Sequence, residues 1–195
     1  MFRNTRFFLL AMPTAAAFFM LASCGDDQVD QKHLLDLNGQ AIDPLEESTA
    51  TATVFLFTRA DCPISNRYAP YVQRLHDTYA AKGVAFYLVY CDSDASAAVI
   101  GKHLKEYNYA MAALMDPHHV LVKQTGARIT PEAVVYDGDS RLVYRGRIDD
   151  QYVDFGKTRA APTKKDLEEV LEALVEGESV TLTTTEAIGC YIQEL

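Results

Sequence analysis

The chain contains no tryptophan, and only four of its 195 residues are cysteine. It is short of positive charge: 18 Lys and Arg stand against 27 Asp and Glu, a net charge of −9. Residues 1–23 hold Arg3 and Arg6 and no acid, so losing those two charges takes −9 to −11. Such a chain lacks the clustered Lys and Arg that phosphate contacts need, which excludes nucleic acid as a main partner. No low-complexity tract and no internal repeat is present. The apolar runs fall short of the ~20 residues of a stable membrane span. What remains is a globular chain, 49% hydrophobic, long enough for one domain plus extensions.

The extensions show first. MFRNTR is a short basic segment, and FFLLAMPTAAAFFM is an apolar run of secretory-signal length broken by Pro13 and Thr14. It ends in Leu21-Ala22-Ser23-Cys24, which resembles the bacterial lipobox. The resemblance implies a signal peptide over residues 1–24, with Cys24 lipidated and Gly25 following it, and a polar tether over 25–32. The chain is then expected in the cell envelope, held to a membrane by its N-terminal lipid and facing the periplasm. Disulfides persist in that compartment. With Cys24 carrying lipid, Cys62, Cys91 and Cys190 are left, an odd number. At least one of them is therefore free, reactive or paired outside the chain.

The body reads as alternating strands and helices. TATVFLFT (51–58) and VAFYLVY (84–90) are near-continuous apolar runs rich in β-branched and aromatic residues, the pattern of buried strands. Between them Tyr68, Tyr71, Val72, Leu75 and Tyr79 share one helical face, and Lys82-Gly83 ends it. Residues 95–107 read as a helix, 112–115 as a strand, and HHVLVKQTGA as a short helix. AVVYDGDSRLVYRG reads as two strands around the Asp137-Gly138-Asp139 turn. Residues 163–177 form an amphipathic helix with Thr163 expected at its N-cap and Gly177 at its end. This order predicts an α/β domain over 33–177, a partly parallel sheet closed by a hairpin and covered by helices on both faces. Residues 178–195 are a Thr-rich tail carrying Cys190. His118-His119 is expected in solvent, and YRGRIDDQY (144–152) as salt-bridged surface.

TRADCPISNRYAP (58–70) holds the chemistry. Cys62 sits where a buried strand gives way to a helix, whose unpaired N–H groups and positive end stabilise a thiolate. Pro63 suits the first helical turn, and Ser65 offers a hydroxyl to the sulfur or the first-turn backbone. Arg59 and Asp61 act on the thiol in opposite senses.

CPISNRYAP is similar to the thioredoxin pattern C-x-x-C-x-x-x-A-P, with Pro70 eight residues after Cys62. GARITPEAVVYDGDSRLVY resembles the thioredoxin stretch that carries a cis-proline and the closing hairpin, which places Thr130-Pro131 opposite the cysteine. Residues 92–115 resemble the insertion of the redoxin, AhpC/TSA and TlpA-like branch. The resemblance implies a thioredoxin-like fold and thiol–disulfide exchange, with protein or small-molecule thiols and disulfides as partners. Cys62 is the implied nucleophile. Pro131 would shape a substrate groove, and the Thr130 backbone would pair with a bound peptide. Three departures stand out. Ser65 replaces the second cysteine, Asp61 replaces the usual tryptophan, and Leu56 stands where thioredoxins bury an acid. The peroxiredoxin pattern P-x-x-x-T-x-x-C is also missing, because Phe55 and Arg59 occupy its proline and threonine positions.

A lone thiolate that attacks a disulfide stays trapped until a second thiol releases it. The candidates are Cys190 on a tail able to fold back, Cys91 at a strand end, and an external thiol. Cys190 is favoured as a catalytic partner, with a static Cys62–Cys190 staple as the bland alternative and Cys91 as an inert core cysteine. No pattern calls for a cofactor. Exported proteins of the Sco group use this fold to hold copper through C-x-x-x-C and a distant histidine. That second cysteine is absent here, so no metal site is assigned, and copper handling or partner binding stands as the alternative function.

Overall fold

The computed structural model describes Met1, residues 33–46, 48–193 and Leu195. Residues 2–32, with Cys24 and the expected tether, lie outside the described residues. The chain opens with a small hairpin, β1 (Leu34–Leu35) and β2 (Ala41–Ile42). β3 (Ala52–Thr58), α1 (Pro63–Tyr79), β4 (Val84–Tyr90), α2 (Ala97–Glu106) and β5 (Ala112–Met115) then alternate. α3 (Val120–Thr125), β6 (Ile129–Thr130), β7 (Glu132–Asp137) and β8 (Leu142–Gly146) follow. A second hairpin, β9 (Tyr152–Asp154) and β10 (Lys157–Thr158), leads into α4 (Asp166–Glu176), and β11 (Cys190–Tyr191) lies in the tail.

The main sheet has the order β2-β1-β5-β4-β3-β7-β8. β3, β4 and β5 are parallel, β7 runs antiparallel to β3, and β8 closes the hairpin. Every residue of β3 is buried, as its unbroken apolarity predicts for a central strand covered on both faces. Successive side chains point to opposite faces, so Val54 and Leu56 enter one core while Phe55 and Phe57 enter the other. The first core is closed by α1, α2 and α4 through Tyr68, Leu75, Ile100, Leu167 and Leu171, and the second by α3 through Leu121. The α/β arrangement, a mixed sheet with helices on both faces and an inserted helix and strand between β4 and α3, is the one the thioredoxin-like resemblance implied.

Three local expectations are corrected. α4 starts at Asp166, three residues later than read, because Thr163 is engaged elsewhere: its N–H and hydroxyl donate to Asp150 at 2.6 and 2.5 Å. The 144–152 stretch is not surface. Asp149 and Asp150 are buried, Asp149 accepts from the Tyr68 hydroxyl, and Arg147 Nε donates to the buried Asp166 at 2.8 Å. Burial raises the Asp149 pKa, whereas the Thr163 and Lys164 donors hold Asp150 below the usual carboxylate range. His119 is buried too, its Nε2 lying 2.9 Å from the Cys91 carbonyl oxygen.

Candidate thiol site

Cys62 is the N-cap of α1, with extended backbone (φ −80°, ψ 111°) and a proline directly after it. In that geometry the Ser65 N–H points at the sulfur and donates to it at 3.5 Å. The loop leading in is fixed from three sides. Arg59 pairs with Asp61 at 3.2 Å and with Asp92 at 3.0 Å. Asn66 Nδ2 donates to the Ala60 carbonyl at 3.0 Å. Asn66 Oδ1 accepts in turn from His103 Nε2 at 2.8 Å, which leaves His103 Nδ1 to accept from the Tyr90 hydroxyl at 2.7 Å. Burial lowers the His103 pKa, so the ring holds this loop as a neutral imidazole. The sequence reading missed this buried chain. A histidine on the buried face of α2 was its only trace in the sequence.

The opposite wall comes from β6. The Thr130–Pro131 peptide bond is cis, and the Cys62 thiol donates to the Thr130 carbonyl at 3.1 Å. β11 pairs antiparallel with β6, placing Cys190 opposite Thr130 and Tyr191 opposite Ile129. The Thr130 hydroxyl donates to the Cys190 carbonyl at 3.4 Å, and the Ile192 N–H to the Arg128 carbonyl at 2.9 Å. The tail thus lies along the edge that the sequence reading reserved for a bound peptide. Gly189 makes the approach possible, since a Cβ there would stand 2.1 Å from the Thr130 carbonyl oxygen.

Cys62, Ser65, Thr130, Pro131 and Cys190 are therefore brought together, and Cys24 lies outside the described residues. The three described cysteines are all free thiols. Cys62 is fully buried, and burial alone would raise its pKa. The shift is nevertheless downward, because the Cys190 thiol, the Ser65 hydroxyl and N–H and the Thr130 side chain stand around the sulfur as donors that favour its charged form. Ser65 Oγ is itself buried and makes no regular hydrogen bond among the described residues, so its proton is available to a Cys62 thiolate. Cys190 shows the reverse behaviour. Burial, the bond to Cys62 and the nearby Cys62 charge push its pKa up to about 11, against a smaller opposing pull from Arg59. Of the two sulfurs, Cys62 therefore gives up its proton first and Cys190 keeps its proton to higher pH.

Cys91 is not part of the site. It follows β4, next to β3, but its side chain belongs to the opposite core, and burial beside Asp116 and Asp92 raises its pKa well above the ordinary value. Among the described residues no group of three or more His, Cys, Asp or Glu side chains is placed to hold a metal ion.

The Redoxin family matches residues 12–169 of the chain. No curated protein matches it. Among solved structures, an uncharacterized conserved protein from Geobacillus kaustophilus is 27% identical with a TM-score of 0.73, covering 84% of this chain and 88% of its own. A hypothetical protein from Sinorhizobium meliloti 1021 is also 27% identical, with a TM-score of 0.72 over 83% of this chain and 90% of its own. A secreted Mycobacterium tuberculosis disulfide oxidoreductase homologous to E. coli DsbE shares the fold at 18% identity and a TM-score of 0.51, covering 77% of this chain and 98% of its own.

Proposed function

The chain belongs to the Redoxin family, and on that premise we propose a periplasmic, lipid-anchored thiol–disulfide oxidoreductase that works through Cys62 and Cys190. One observation carries the reading: the Cys62 thiol donates to the Thr130 carbonyl at 3.1 Å while β11 sets Cys190 directly opposite Thr130, which gathers both sulfurs at one residue beside a cysteine of lowered pKa. A thiolate is the attacking species in disulfide exchange, and a second sulfur within reach lets the intermediate resolve without outside help. Cys62 supplies the thiolate and Cys190 the resolving sulfur. Ser65 stabilises the charge by hydrogen bonding, and Thr130 and Pro131 form the facing wall. The pair cycles between dithiol and disulfide, and each cycle moves two electrons and two protons between the protein and a substrate disulfide.

Equilibration of the full chain in glutathione buffers of graded potential tests this. Mass spectrometry after alkylation should show one internal disulfide joining Cys62 and Cys190, with Cys91 reduced throughout. Cys62→Ala should abolish exchange while leaving the fold intact. Full exchange activity in that variant removes the proposal.

The anchoring part rests on the lipobox-like Leu21–Cys24. Among the described residues no helix is long and apolar enough to cross a membrane. Expression with a labelled fatty acid should mark the wild-type chain and not Cys24→Ala, and the label should fractionate with membranes.

A further inference from the structure

The two sulfurs of the pair differ in access. Cys62 is 0% exposed, beneath the tail, while Cys190 is only partly buried and precedes Tyr191, which is 76% exposed. The tail above Cys62 is built into the fold. Arg145 N–H donates to the Thr183 carbonyl at 3.0 Å, and Thr185 N–H to the Arg145 carbonyl at 3.1 Å. Thr185 Oγ1 accepts from Arg147 N–H at 3.0 Å and lies 2.7 Å from the Tyr144 hydroxyl. Gly146 leaves the space for this contact, since a Cβ there would sit 2.2 Å from Thr185 Oγ1. Further along, β11 fills the hydrogen-bonding edge of β6. An extended polypeptide therefore finds that edge occupied, and any external sulfur meets Cys190 before Cys62.

We propose that Cys190, not Cys62, is the sulfur attacked from outside, and that its substrate is a low-molecular-weight thiol rather than a polypeptide paired to β6. This rests on the reading of Cys62 and Cys190 as a redox pair. The step starts from the Cys62–Cys190 disulfide. A small thiolate RS⁻ attacks Cys190 Sγ, an RS–SCys190 bond forms, the Cys190–Cys62 bond breaks, and the electron pair leaves on Cys62. A second RS⁻ attacks the R sulfur, releasing RSSR and a Cys190 thiolate that takes a proton from water. Two small thiols are oxidised to one disulfide and the protein disulfide is reduced to two thiols. A leaving sulfur of lower pKa departs faster, and Cys62 is the better leaving group, held by Ser65 and Thr130.

The test uses the full chain oxidised to its internal disulfide, with 2-mercaptoethanol and an unstructured twelve-residue peptide bearing one cysteine as probes. At matched thiolate concentration the small thiol should open the disulfide about tenfold faster or more, since exchange rates depend on access as well as on thiolate content. Gly189→Ala, whose Cβ would strike the Thr130 carbonyl, should undock the tail and remove most of that preference. Rapid alkylation during the reaction should trap the mixed disulfide with the small thiol joined to Cys190 and the alkyl label on Cys62. Equal rates for peptide and small thiol in the wild type, or a mixed disulfide trapped on Cys62 with the tail docked, overturn the proposal. Failure of any Cys62–Cys190 disulfide to form in redox buffer overturns instead the pair on which it rests.

Discussion

Cys62 and Cys91 follow neighbouring parallel strands, β3 and β4, and both are buried, to 0% and 3% exposure. Their chemistry diverges because their neighbours do. Cys62 points into the core closed by α1 and meets the N–H and hydroxyl of Ser65, Thr130 and the Cys190 thiol, and its pKa falls. Cys91 points into the opposite core, meets apolar side chains with Asp116 and Asp92 behind them, and its pKa rises. Desolvation acts on both sulfurs in the same direction. The donors gathered at a helix N-terminus reverse its outcome at one of them only.

The largest effect expected from breaking this contrast is all-or-none. Cys62→Ala should reduce disulfide exchange to background, while Cys91→Ala should leave the rate unchanged in the same assay. Next comes the second sulfur. Cys190→Ser should prevent the internal disulfide and leave mixed disulfides of the protein unresolved, read as persistent adducts by mass spectrometry. Ser65→Ala should act more gently. Losing one hydrogen bond of about 1 kcal/mol should slow alkylation of Cys62 at neutral pH about fivefold and move its pH inflection up toward that of an ordinary thiol.

The smallest effects appear in stability against pH, where the two cysteines have opposite signs. The folded-state pKa of Cys91 lies above its ordinary value of 9.0, so its contribution is fully present below pH 9.0 and is lost as pH rises above it. Cys91→Ala should therefore flatten the alkaline limb of a denaturation series, at a cost of about 1 kcal/mol at neutral pH for the space vacated. The folded-state pKa of Cys62 lies below 9.0, so its contribution is present above pH 9.0 and is lost as pH falls through the folded value. Cys62→Ala should remove the rise in stability that this sulfur contributes between its folded value and pH 9.0. Chemical denaturation of the reduced proteins between pH 7 and 10 measures both.

Much of the frame was legible because it rests on short-range pattern. The strands at 52–58 and 84–90 and the helix at 63–79 follow from runs and faces of apolar residues, and Cys62 at the strand-to-helix junction follows from them. Polar residues that pair across long stretches of chain were misread. Asp149 and Asp150 look like surface charges until Tyr68 and Thr163 arrive from 81 positions before and 13 after. Asn66 and His103, 37 apart, gave no shared signal even though their bond holds the cysteine loop.

By itself the sequence determined the α/β order, the helix start that favours a thiolate at Cys62, and the absence of a second cysteine at position 65, because each is set by residues within one or two turns of chain. Only the tertiary structure decided that Cys190 lies opposite Thr130. A strand of two residues has no periodicity to read, and its place on β6 comes from a glycine that permits contact and from hydrogen bonds to residues about 60 positions away.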